Sequence, residues 1–162
     1  MYGTGILLTG RSGIGKSETA LEMVKRGHRL IADDSVIINR IDDRLLGTSP
    51  DMIRYFMEIR GIGIIDVRML YGVGSVLQEK EIELVVELET WDDSKFYDRL
   101  GDKPQYEEIL GVKLPKLIIP VKPGRNLSII LEAAARNSRL KEQGYDAAQE
   151  PVSYTHLTLP TT

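Results

Sequence analysis

Between Gly10 and Ser17 the chain reads GRSGIGKS, which meets the pattern G-x-x-x-x-G-K-[ST] at Gly10, Gly15, Lys16 and Ser17. No other stretch constrains the fold so tightly. Glycines at these spacings let a backbone turn sharply and aim its N–H groups at one centre, a geometry that suits an anion. The motif also dictates its surroundings: a strand ahead of it, and behind it a helix whose free N–H groups and positive end face the same anion. Both are legible. GILLT, residues 5–9, is a short apolar run that reads as a buried strand. From Lys16 the period changes. Ala20, Leu21 and Val24 fall at helical spacing, Glu18, Glu22, Lys25 and Arg26 take the other side, and Gly27 is a stop. Gly10, Arg11, Ser12, Gly13, Ile14, Gly15, Lys16 and Ser17 are therefore expected to hold a nucleotide's phosphates. Lys16 would reach the β- and γ-phosphates and the Ser17 hydroxyl would ligate Mg²⁺.

Further along, HRLIADD reads as a second strand ending in Asp33 and Asp34. In a parallel α/β sheet ligands gather at the carboxyl ends of strands, so both carboxylates are expected near the nucleotide's terminal phosphate. Neighbouring strand residues point to opposite faces, which would divide their work between a metal shell and a proton acceptor for an incoming hydroxyl. SVIINRIDDRLLG reads as a strand and turn, and residues 51–57 as a helix or an irregular segment. EIRGIGIID places Glu58, Arg60 and Asp66 around two glycines; it reads as a loop leading into a short strand or turn, able to offer an acid to Mg²⁺. EIELVVELE alternates as one strand with Ile82, Leu84, Val86 and Leu88 on one face. Residues 91–111 are polar and read as irregular, KLIIPV alternates again, and Leu127, Ile130, Leu131 and Ala134 make a helical stripe running to about Lys141. On pattern alone, Lys122 and Arg125 in PVKPGR, and Arg99 in YDRLG, are ordinary solvated cations.

Composition narrows the classes. Lys and Arg total 21 against 24 Asp and Glu, a net charge of −3 without the basic footprint of a nucleic-acid binder. There are no cysteines and two histidines, which argues against thiolate or zinc chemistry and fits a reducing cytoplasm. No apolar run approaches the roughly 18 residues a membrane helix needs. No N-K-x-D sequence occurs, so a guanine-specific GTPase is disfavoured.

TGRSGIGKSETALEMVKRGHRLIADD, then MEIRGIGIIDV, YDRLG and IPVKPGRN together resemble the catalytic domain of the HPr kinase/phosphorylase family, over residues 2–150. The resemblance implies an α/β fold, a P-loop nucleotide-binding domain with a central mixed sheet and flanking helices. It implies a bifunctional enzyme of bacterial carbon catabolite regulation. Such an enzyme phosphorylates a serine of HPr, the phosphocarrier of the sugar phosphotransferase system, using ATP or pyrophosphate. It also removes that phosphate by phosphorolysis. Carried over by position, Lys16, Asp34 and Arg99 would be catalytic, Asp34 as the base with Asp33 beside it. Ser17 and Glu58 would hold Mg²⁺, with Arg60, Lys122 and Arg125 in support. Residues 57–66 match the segment needed in both directions and residues 120–125 the segment tied to dephosphorylation. A cytoplasmic homohexamer without nucleic-acid or membrane partners is implied as well. The family's pattern includes a histidine upstream of the loop and, in longer members, an N-terminal domain, so residues 1–150 are expected to be part of a longer catalytic protein. PVSYTHLTLPTT, residues 151–162, carries no charge and departs from the family; it is expected to be a foreign or disordered tail. The alternatives are a P-loop kinase for a small molecule, or a nucleotide-sensing module without turnover.

Overall fold

A computed structural model describes residues 1–50, 54–92 and 105–144. Arg99 and the 151–162 tail lie outside these residues, as do residues 93–104 of the 91–111 stretch read as irregular and residues 51–53 of the 51–57 segment. The apolar run before the loop forms β1 (Ile6–Gly10), and the 3.6-residue pattern after it forms α1 (Lys16–Lys25). β2 (Ile37–Ile41) and β3 (Arg44–Thr48) make a hairpin. β4 (Phe56–Ile59) and β5 (Gly63–Asp66) make a second one, followed by the short α2 (Val67–Tyr71). Then come β6 (Glu79–Ile82), β7 (Leu84–Thr90), β8 (Gln105–Ile109), β9 (Val112–Val121) and α3 (Leu127–Glu142).

The central sheet runs β1-β7-β9-β8, with β1, β7 and β9 parallel and β8 antiparallel at the edge. This is the mixed sheet the resemblance implies. β7 is buried on both faces, as an inner parallel strand must be. Leu84, Val86 and Leu88 face Met23 of α1 and Leu131 of α3, while Val85 faces the other way onto Leu45 and Ile82. Both long helices therefore cover one face. The opposite face is covered by a three-stranded antiparallel sheet, β2-β3-β6.

Three sequence expectations change. The strand expected over residues 28–34 is a single bridge, Leu30 to Val76; beyond it the chain turns away from any partner strand so that Asp33 can accept from Ser17. EIELVVELE is two strands in two sheets, broken at Glu83. The Glu83 and Leu84 amides both donate to the Gly5 carbonyl (2.8 and 3.1 Å), and this puts Ile82 in a different core from Leu84. Part of the stretch read as irregular, Gln105–Ile109, is the edge strand β8. Its charges are accommodated because Lys116 on β9 reaches both Glu87 and Glu107 at 2.9 Å.

Helix α3 starts where Asn126 accepts from the Ile129 amide (3.3 Å), an N-cap that satisfies one of the helix's free donors. It is tied to the end of α1 by Glu132, which accepts from Arg26 and from His28 (2.8 Å). These two partners, Arg26 first, hold the Glu132 carboxyl down at about 2 against an ordinary 4.5. A carboxyl lowered on folding adds stability above its unfolded value, and that stability drains away as pH falls through the folded one. Glu132→Gln is thus expected to lower the thermal midpoint at neutral pH. The wild-type and variant midpoints should draw together between pH 4.5 and about 2, as melts across that range would record.

Candidate active site

The loop joins β1 to α1 at the carboxyl edge of the central sheet. Gly15 stands at the helix N-cap with φ 102° and no side-chain cap, so the first amides of α1 are left to other acceptors. A Cβ built on Gly15 would meet nothing within 4 Å, so the positive φ, not crowding, is what favours glycine there. At Gly10 the constraint is contact, since a Cβ there would lie 2.8 Å from the Leu88 carbonyl oxygen of the neighbouring strand. The loop is braced from within and without. The Lys16 ammonium donates to the carbonyls of Gly10 (2.7 Å) and Arg11 (3.0 Å). Arg11 turns outward and sets Nε and Nη2 on the Thr90 hydroxyl (3.1 and 2.9 Å) at the end of β7.

A cleft of about 450 Å³ opens beside the loop. Its walls bring together Ser12, Gly13, Gly15, Lys16 and Ser17 from the loop, Asp34 from the segment after α1, and Glu58 and Arg60 from the β4–β5 hairpin. The two aspartates part as neighbours do. Asp34 lines the cleft, whereas Asp33 sits behind it with Ser17 Oγ at 2.8 and 3.0 Å from its two oxygens. Burial raises the Asp33 carboxyl above its ordinary value. The Asp34 charge adds to this, while the Ser17 hydroxyl and a backbone hydrogen bond at Glu58 oppose it.

The segment read as a loop, residues 58–67, is the β4–β5 hairpin, and Gly61 and Gly63 interrupt both periods because they make its turn. Met57 and Ile59 are buried in the cluster with Val24, while Glu58 and Arg60 line the cleft, whose wall Ile59 also borders. Lys122 and Arg125 are not in the cleft. They flank Trp91 at 4.6 and 5.9 Å in the turn after β9, at the same carboxyl edge but beyond β7. Gly10, Arg11 and Ile14 shape the loop without lining the cleft. Two participants had been missed. Glu18 lines the cleft from the first turn of α1, and its adjacency to Ser17 was the available signal. Thr90 braces Arg11 across a 79-residue separation, for which the sequence offers no local signal.

The donor set suits a hard divalent cation. Ser17, Asp33, Asp34 and Glu58 offer only oxygens. Among the described residues no three acidic or histidine side chains cluster closely enough to hold a metal by themselves. Mg²⁺ is commonly held by one or two protein groups together with substrate phosphates and water.

Residues 1–153 match the family described as HPr Serine kinase C-terminal domain. The HPr kinase/phosphorylase of Thermoanaerobacter sp. (strain X514) is 62% identical over 151 residues, which cover 93% of this chain and 50% of that protein. That of Peptoclostridium acidaminophilum is 58% identical over 150 residues, 92% of this chain and 49% of the other. The solved Hpr(Ser) kinase/phosphatase from Coxiella burnetii superposes with a TM-score of 0.79 at 38% identity, covering 91% of this chain and 90% of that one. The chain spans about half the length of the curated relatives it matches. It belongs to the HPr serine kinase C-terminal domain family.

Proposed function

We propose, with that membership as premise, that the chain carries the catalytic site of a reversible protein-serine kinase acting on HPr. The donor is ATP or pyrophosphate, and the reverse reaction is phosphorolysis. The observation that carries this reading is the convergence of Lys16, Ser17, Asp34 and Glu58 on one cleft at a phosphate loop. Loop amides and the N-terminal end of α1 bind the donor's phosphates, and Lys16 leaves its loop carbonyls to offset charge on the group in transfer. Magnesium, held by Ser17 and Glu58, would neutralise further phosphate charge. The Asp34 carboxylate accepts the serine proton as the serine oxygen attacks the donor's terminal phosphorus and the bond to the leaving ADP, or to phosphate when pyrophosphate is the donor, breaks. In the other direction protonated Asp34 returns that proton to the departing serine oxygen while inorganic phosphate attacks, so one residue serves as base and then acid.

Asp33 keeps the Ser17 hydroxyl oriented. Arg99 adds a further positive charge to the reacting group. Lys122 and Arg125, at the same sheet edge, serve the phosphorolytic direction. The working form by this reading is a cytoplasmic homohexamer; among the described residues no helix is long and apolar enough to cross a membrane. The test is transfer of labelled phosphate from Mg-ATP to purified HPr, followed by addition of inorganic phosphate. Label on serine that is then lost with release of pyrophosphate is the expected result. Absence of transfer, both from this chain and from a version extended to the length of its relatives, would overturn the reading.

A further inference from the structure

The β4–β5 hairpin reaches the phosphate loop from outside the central sheet, and it is held there unevenly. Its inner face is firmly packed: Met57 is 1% exposed and Ile59 5%, both in the cluster that includes Val24 of α1. Its tip is not, since Ile62 and Ile64 are 71% and 73% exposed. Glu58 sits between these two regimes, on the outer face and directly opposite Ile64. On one side the Glu58 backbone faces the Asp33 carboxyl, whose pKa it helps to lower. From the other side the Arg60 guanidinium donates through Nη2 to the Gly13 carbonyl of the loop, at 3.2 Å. The fit is close there, because a Cβ on Gly13 would lie 3.3 Å from that same nitrogen. Arg60 thus spends a donor on a neutral carbonyl of the loop, although it borders a cleft built for anions.

We infer that Arg60 is a positioning residue: it latches the hairpin to the phosphate loop at Gly13 and so fixes the distance across which Glu58 and Ser17 share a magnesium ion. This inference rests on the reading of the cleft as a Mg-nucleotide site. Ser17 is on helix α1 and Glu58 on β4, a strand outside the central sheet, and a cation bound between them is only as tightly held as the two elements are fixed to each other. Groups that orient metal ligands, without being ligands, typically change metal affinity by about 10- to 100-fold when removed.

Equilibrium binding of ATP to the whole chain, titrated with magnesium chloride, tests the latch without requiring turnover. Arg60→Met keeps the length of the side chain and removes its donors. It is expected to raise the magnesium concentration for half-maximal ATP binding by about tenfold, with affinity at saturating magnesium within about twofold of wild type. Arg60→Lys retains a donor able to reach a carbonyl and is expected to recover most of the loss. In a Glu58→Gln background, Arg60→Met should add little, because the two act on one interaction. A loss of affinity that persists at saturating magnesium, with an unmoved magnesium midpoint, would make Arg60 a direct phosphate ligand and overturn the latch. So would full additivity with Glu58→Gln, or a midpoint unaffected by Arg60→Met. If wild-type chain binds no ATP at any magnesium concentration, the reading of the cleft fails, and the latch with it.

Discussion

Asp34→Asn is expected to lower serine phosphorylation of HPr by roughly 10²- to 10⁴-fold while leaving nucleotide affinity within about twofold. The amide keeps the shape of the carboxylate but cannot take a proton. In the proposed reading the donor's phosphates are held elsewhere, by the loop and the start of α1, so the ground-state complex should form as before. The effect falls on kcat, and phosphorolysis should fall as well, since the same group must protonate the leaving serine. Initial rates of transfer in both directions, beside an equilibrium nucleotide titration, measure this. Transfer near the wild-type rate would remove Asp34 from the role of base. Asp33→Asn should differ in kind: Asp33 does not line the cleft and accepts from Ser17. Its loss should therefore appear first in the magnesium requirement.

The second large effect is on folding. A Cβ at Gly5 would lie 1.8 Å from the Glu81 carbonyl oxygen and 2.9 Å from its carbon, both backbone atoms with no freedom to withdraw. The Gly5 amide also donates to Glu83 (3.2 Å), and its carbonyl takes the amides that divide β6 from β7. Gly5→Ala is thus expected to cost about 3 kcal/mol or more, at the upper end of overpacking effects, because backbone must move against backbone. Urea unfolding of the two proteins reads the difference. A loss under about 1 kcal/mol would mean that the two segments can separate at little cost.

Legibility followed the range of the interactions. The phosphate loop was readable because its requirements are local: glycines, a lysine and a hydroxyl at fixed spacing between a strand and a helix. α1 and α3 were readable because their apolar stripes face a sheet. The segment at 28–34 misled because HRLI has strand chemistry, yet only Leu30 finds a partner. β6 and β7 looked like one strand because alternation continues through Glu83, and only the distant Gly5 shows where it breaks. Glu58 and Arg60 could be named from the sequence as candidates, but their approach to the loop depends on a hairpin whose inner face packs on α1. Residue pattern alone left Lys122 and Arg125 as surface cations, and only family resemblance gave them a role.

The parallel pairing of β1 with β7 also bears on when the site comes into being. The loop's outer brace is Thr90, and the strand beside Gly10 is β7, so neither exists until synthesis has passed Thr90. Gly5 and Glu83, which meet where these strands begin, are 78 residues apart. Contacts over such separations form late and slowly, because the chain between them must be closed before they contribute. The phosphate-binding motif is therefore made well before the strand and the hydroxyl that brace it, and it takes its shape only after them.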